Sequence, residues 1–308
     1  MQYSTFAAID IGSYDVILEI FEISKKQGIR SVDKICHRME LGKDTYTLGK
    51  IRPEMEEELC RVLADFVRIM EGYRVDDYRA TASSAISEAS NSLYVLGKIH
   101  QLTGLSVTVL SNSEQRFLSY KALAAMEDNF NKIIEKGTAI LDLDGGSFQI
   151  SLFDKDALVT TQNIRMGSLR IRERLAGIQS ETEHYEEMVE ELIWNEVSSF
   201  KKMYLKDRKI ENIMLIGDVF TDSVYQNIEE KTTKIISREN FNTWYEKIIR
   251  QSPMELAVKL GIPLENASLM YPSAVIYKCL IDMMGAEHIW IPGVHMTRGI
   301  AYEYAEQM

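Results

Sequence analysis

Two short stretches set carboxylates beside turns that could hold an anion. In Ala139–Ile150, AILDLDGGSFQI, an apolar run breaks into Asp144-Gly145-Gly146-Ser147 and then resumes, with Asp142 on the run just before the break. Adjacent glycines take φ > 0 and expose backbone N–H groups without side-chain cover, which is how loops that hold phosphate oxygens are built. Ala7–Ile20, AAIDIGSYDVILEI, repeats the design with Asp10, Gly12 and Ser13. Either turn alone is more often a plain hairpin. The weight lies in the pair, one copy in each half of the chain, which points to two related domains facing each other across a cleft and to phosphate chemistry.

Strands and covering helices must position these turns. Alternating apolar residues from Phe6 to Ile23 predict a hairpin and Arg30–Met39 a third strand. Pro53 opens a helical pattern that runs to about Glu71 through Met55, Leu59, Val62, Leu63, Phe66 and Met70. Strands follow at Tyr78–Ala82, Val107–Leu110, Leu158–Asn163, Ile213–Ile216 and Glu287–Ile291. Helices follow at Ser84–Ala89, Tyr94–Thr103, near Glu181–Leu205, Phe241–Ile249, Pro253–Lys259, Ser273–Met284 and from about Met296. This alternation predicts a mixed α/β protein with sheets covered by helices. The charged stretch Met126–Gly137 is the expected boundary, giving domains 1–126 and 127–308.

The 308 residues, 45% hydrophobic and 26% charged, suffice for two cores. A formal charge of −11 argues against binding a nucleic-acid duplex, which needs Lys and Arg against phosphates. No apolar stretch approaches the length of a membrane span and no leader pattern opens the chain, so the expected location is the cytoplasm. Cys36, Cys60 and Cys279 are widely spaced, and the five histidines show no ligand spacing, so zinc or a histidine triad has little support.

The paired turns resemble those of the actin, hexokinase and heat-shock ATPase superfamily, and within it the exopolyphosphatase and guanosine pentaphosphate phosphohydrolase (Ppx/GppA) family. Asp10-Ile11-Gly12-Ser13 is similar to that family's Asp-Leu-Gly-Ser-Asn-Ser, with Tyr14 and Asp15 at the last two places. ATASSAISEASN keeps Ala85, Ala89 and Asn91 of a second motif, with Ser87 where the family has arginine. VTVLSNSEQRFLSY puts Glu114 on the family's catalytic glutamate and Gln115 on the acid after it. LDLDGGSFQ keeps Asp142, Gly145, Gly146 and Ser147 of the central motif, while Asp144, Phe148 and Gln149 depart from it. Met166-Gly167-Ser168-Leu169-Arg170 looks like Leu-Gly-x-Val-Arg, and Gly217-Asp218-Val219 stands for Gly-Gly-Thr.

The resemblance implies two actin-like (ribonuclease H-like) α/β domains, each a mixed sheet flanked by helices, with a cleft between them and the terminal helix able to pack back on the first. It implies a phosphohydrolase that releases terminal phosphate from inorganic polyphosphate or guanosine pentaphosphate, using magnesium or manganese and compatible with a homodimer. Glu114 would steer the attacking water, Gly12, Ser13, Gly145, Gly146 and Ser147 would hold phosphate, and Asp10, Asp142 and Asp144 would serve the metal. The departures remove a guanidinium at Ser87 and a carboxylate at Gln149, and add Asp15 and Asp144 beside the turns, where negative charge opposes phosphate. The alternative is a non-catalytic relative that binds a nucleotide or phosphorylated ligand. A sugar or acetate kinase of the same superfamily is a third reading.

Overall fold

The computed structural model describes residues 3–126, 130–176, 185–217, 220, 221, 223 and 235–308. The chain divides into two units, residues 1–125 with 294–308, and residues 126–293.

In the first unit β1 (Ser4–Ile11), β2 (Asp15–Ser24) and β3 (Gly28–Arg38) form an antiparallel meander. α1 (Leu41–Leu48) and α2 (Pro53–Tyr73) lead to β4 (Asp77–Ala82), which lies parallel to β1. α3 (Ser84–Ser87) and α4 (Ser92–Thr103) then lead to β5 (Val107–Val109) and α5 (Asn112–Met126). The strand order is β3-β2-β1-β4-β5. β1 is central and packed on both faces, which is why Phe6–Ile9 form a continuous apolar run within it where alternation was expected. Ala7, Ile9 and Ile11 pack with Leu59, Leu63 and Phe66 of α2. Phe6 and Ala8 pack on the other face with Leu118 of α5 and with Ile300 and Ala301. α2 starts with Pro53 in its first turn and stops at Arg74 in the left-handed conformation. Its buried Glu56 is neutralised by Lys98 of α4 at 2.6 Å.

The second unit repeats the plan. α6 (Phe130–Ile134) precedes a meander of β6 (Thr138–Leu143), β7 (Phe148–Asp154) and β8 (Ala157–Ile164). α7 (Ser168–Leu175) and α8 (Tyr185–Phe200) follow, and β9 (Asn212–Gly217) lies parallel to β6. β10 (Ile235–Ser237), α9 (Arg238–Ile249), α10 (Pro253–Leu260), α11 (Leu264–Met284) and β11 (His288–Trp290) complete it. The order β8-β7-β6-β9-β11 matches that of the first sheet strand for strand, and β10 adds an outer antiparallel edge. α12 (Met296–Glu306) closes the first unit, stacking Tyr304 on Phe6 with ring centroids 4.0 Å apart. At its start Glu19, 1% exposed, accepts from Thr297 at 2.5 Å and from Ser31 at 2.7 Å.

Several expectations change. The sequence pattern gives no helix at 41–48 or 168–175, because α1 and α7 are short and held by tertiary contacts. α11 starts at Leu264, not Ser273: Pro272 sits inside the helix, and its neighbour Ser273 bonds back to the Leu269 carbonyl at 2.8 Å. The stretch 126–137, where the boundary was expected, carries α6 with Phe130, Ile133 and Ile134 buried. Residues 181–184 of the long helix expected near 181–205 lie outside the described residues. Among the described residues no helix is long and apolar enough to cross a membrane.

Candidate functional site

Each meander begins with a four-residue turn closed in the same way. Gly12 N–H donates to Asp15 O at 2.9 Å, and Asp144 N–H donates to Ser147 O at 2.9 Å. The ladders match too: Asp10 is opposite Ile17, and Asp142 is opposite Gln149. By this register Gly12 corresponds to Asp144, Ser13 to Gly145 and Tyr14 to Gly146. The glycine of the first turn is therefore the counterpart of the departing Asp144, not of the Gly-Gly pair.

In the second turn the bonds that fix the loop fall mainly on its carbonyls. Ser168 N–H donates to Asp144 O at 3.2 Å, Arg170 N–H to Gly145 O at 2.9 Å, and Arg170 Nε to Gly146 O at 2.8 Å. The start of α7 thus clamps the turn, and among the described residues the amides of Gly146 and Ser147 take no part in the bonds that hold it. Only glycine permits this approach, because a Cβ on Gly167 would stand 2.2 Å from Asp144 O. Asp144 Oδ1 accepts from Gly145 N–H at 2.6 Å, so this carboxylate already serves one amide of the turn. Ser147 Oγ accepts from Asn163 at 3.3 Å. Asp142, half-buried one strand-face repeat before Asp144, lies against Gly217, whose φ of +85° and missing Cβ let the backbone pass the carboxylate. Asp218 and Val219 lie outside the described residues.

The first turn is held likewise by the segment that follows β3. Gly42 N–H of α1 donates to Ser13 O at 2.7 Å and Met39 N–H to Tyr14 O at 3.1 Å. Asp10 is half-buried, with Thr81 Oγ1 at 3.4 Å from Oδ1. Asp15 does not act as a bare negative charge beside the turn. Arg38 Nη1 donates to its Oδ2 at 2.7 Å, and the guanidinium lies 5.8 Å from the Tyr14 ring centroid. Ser87 is exposed at the end of α3.

Glu114 is exposed in the first turn of α5, where its Oε2 accepts from Ser111 N–H and Oγ, each at 2.7 Å. The two donations, the hydroxyl's first, and a weaker pull from Arg79 hold its carboxyl below the usual range, so it stays ionised near neutral pH.

Sequence reasoning missed Tyr46 and Ser84, whose hydroxyls meet Ser13, and it used Arg38 and Arg170 for no chemistry. Their signal was weak: the partners lie far apart in the chain, and although Ser84 and Arg170 fall within motif stretches, Tyr46 and Arg38 belong to no recognisable spacing. Among the described residues no three His, Cys, Asp or Glu side chains converge as a metal cluster. Magnesium needs no such cluster, since it is held by one or two carboxylates together with phosphate oxygens and water. Asp10 in the first unit and Asp142 in the second are each a half-buried carboxylate two residues before a turn.

The model of the Ppx/GppA phosphatase family matches residues 19–308. A bifunctional 3-dehydroquinate synthase/phosphatase of Fusobacterium nucleatum is 21% identical over 310 residues, covering 92% of this chain and 44% of that protein. Exopolyphosphatase 1 of Mycobacterium leprae is 25% identical over 144 residues, covering 46% of this chain and 41% of that protein. The chain spans less than half the length of these curated relatives. The crystal structure of an exopolyphosphatase from Cytophaga hutchinsonii, 16% identical, shares the fold with a TM-score of 0.88 over 99% of both chains. A family match across nearly the whole chain, on a duplicated actin-like α/β fold with an aspartate before each turn, means that this chain belongs to the Ppx/GppA phosphatase family.

Proposed function

We propose that the chain is a cytoplasmic phosphohydrolase that cleaves phosphoanhydride bonds, releasing terminal phosphate from inorganic polyphosphate or guanosine pentaphosphate. The observation that carries this reading is the second turn, whose carbonyls are tied down by Ser168 and Arg170 so that the amides of Gly146 and Ser147 are left for an anion. In this reading Gly145, Gly146 and Ser147, with Gly12 and Ser13 of the first turn, bind phosphoryl oxygens. Glu114, ionised, takes a proton from the attacking water. The water oxygen bonds to the terminal phosphorus, the bridging P–O bond breaks, and its electron pair leaves on the shortened phosphate chain. Asp142 with Asp144 in the second unit, and Asp10 as the matching carboxylate of the first, are the residues that would serve magnesium or manganese, which when bound supplies positive charge against the phosphate oxygens.

The test is phosphate release by the purified protein from long-chain polyphosphate, tripolyphosphate and guanosine pentaphosphate, with magnesium or manganese. Release is expected, with Asp142→Asn lowering kcat by about 100-fold or more, since even outer partners of a metal cost up to that much. Absence of release from all three would overturn the hydrolase. It would favour the non-catalytic relative that binds a nucleotide or phosphorylated ligand.

A further inference from the structure

The outer face of α8 sorts its charges by sign. Val189, Ile193, Val197 and Phe200 are fully buried, α8 packs on α11, and a five-residue π-helical turn, Lys201–Leu205, carries the helix on. Residues 185–196 hold five acids and no cation, and residues 201–209 hold five cations and one acid. On the side away from the core Glu187, Glu191, Trp194, Ser198 and Lys201 follow one another at steps of four and three, so they share one stripe. Trp194 stands at its middle, 45% exposed, with Lys201 Nζ 5.0 Å from the ring centroid. The helix dipole favours acids in the first turn and cations in the last, which accounts for Glu186 and Glu187. It does not reach Glu190, Glu191 or Glu196, and it gives no reason for an indole facing water between the two signs.

We infer that this face of α8 is the interface of a two-fold dimer, its occupant a second copy of the chain. Glu187 stands seven residues before Trp194 and Lys201 seven after it, about 10 Å to either side along the helix axis. Two copies of the helix laid antiparallel about a two-fold axis at Trp194 therefore set Glu187 of each against Lys201 of the other, and Glu186 against Lys202. One contact made twice satisfies both signs, which is the self-complementarity that a two-fold interface requires. The indoles meet at the centre and exclude water, and the charged groups form the rim. A parallel pairing would set acid on acid and cation on cation. The chain as a whole carries −11, so two copies repel at a distance and attract where Lys201 and its neighbours meet the acids. One helix pair covers less than the roughly 1,600 Å² of a standard interface, so the dimer is weak and sensitive to salt. This pairing is independent of the hydrolase reading.

The experiment is sedimentation equilibrium of the full chain at about 0.05 M and about 0.5 M sodium chloride, with thermal melts to confirm that each variant is folded. Wild type is expected to dimerise at low salt and to dissociate as salt is raised. Lys201→Glu and Glu187→Lys each place like charges together twice per dimer, and either should weaken association by about tenfold or more. Trp194→Ala, at the centre, should weaken it by about 30-fold or more. The chain that combines Lys201→Glu with Glu187→Lys keeps the net charge of wild type and restores opposite signs across the axis, so its dimer should return. Since Glu187, Trp194 and Lys201 are all exposed, these changes leave the core intact. A wild type that stays monomeric at low salt overturns the inference. So does a dimer that the three single variants leave unchanged, or a folded double variant whose dimer does not return. Assemblies that grow beyond two copies overturn it as well, because a two-fold contact closes on itself.

Discussion

Glu114 accepts from Ser111 N–H and Oγ at 2.7 Å, and Ser111 Oγ accepts from Glu114 N–H at 3.3 Å, a reciprocal cap at the start of α5. Glutamine can make the same cap, so Glu114→Gln separates capping from proton transfer. The variant should keep its melting temperature within a few degrees and lose phosphate release by about 100-fold or more, the usual size of a general-base effect. Retained activity would leave Glu114 as a cap alone. The pH dependence has a definite sign. Because the folded-state pKa is lowered by the Ser111 bonds, the stability this group contributes is present above its unfolded value and is lost only as pH falls through the lowered one. Between pH 7 and 5 it should add no slope to the stability curve, and the base should remain ionised across that range.

At the scale of elements, the hold of α7 on the second turn depends on Gly167. Its φ of −77° would suit any residue, so the requirement is space and not conformation. In Gly167→Ala the new Cβ would meet the backbone oxygens of Asp144 and Gly145 at 2.2 and 2.5 Å, neither of which can swing away. A loss of about 1–3 kcal/mol in urea unfolding is expected, together with impaired phosphate release as Ser168 and Arg170 are pushed off the turn. Gly97→Ala in α4 is the control. A Cβ there meets nothing within 4 Å, and the change should stabilise by about 0.5–1 kcal/mol through helix propensity. If both variants behave alike, close approach at Gly167 does not hold the turn.

At the scale of the molecule, the first unit is completed by the last residues of the chain. Ile300 and Ala301 are fully buried against Phe6, Ala8, Phe21 and Ile23, and Arg79 and Lys121 pair with Glu303 and Glu306 of α12. Burial of Ile300 alone is worth about 1.5–3 kcal/mol. Deleting 294–308 should therefore raise hydrogen exchange in β1 and β2 while β6, β7 and β9 keep their protection. Uniform exchange in the deletion variant would show that α12 is not part of the first unit's stability. The sequence by itself determined the two strand-turn-strand motifs, the aspartate before each turn and the surface of α2, because all of these are written in local spacing. Which of those residues are partners was decided by tertiary structure. The Ser13, Tyr46 and Ser84 hydroxyls are brought together over separations of 33 and 71 positions, and Glu19 finds Thr297 across 278. Arg38 cancels Asp15 only because β2 and β3 pair in that register, and Gly12 aligns with Asp144 only because both turns close on their fourth residue. Periodicity records which face of an element is apolar. It does not record which distant polar group will share that face, and on that sharing the charge and hydrogen-bonding character of the candidate site depends.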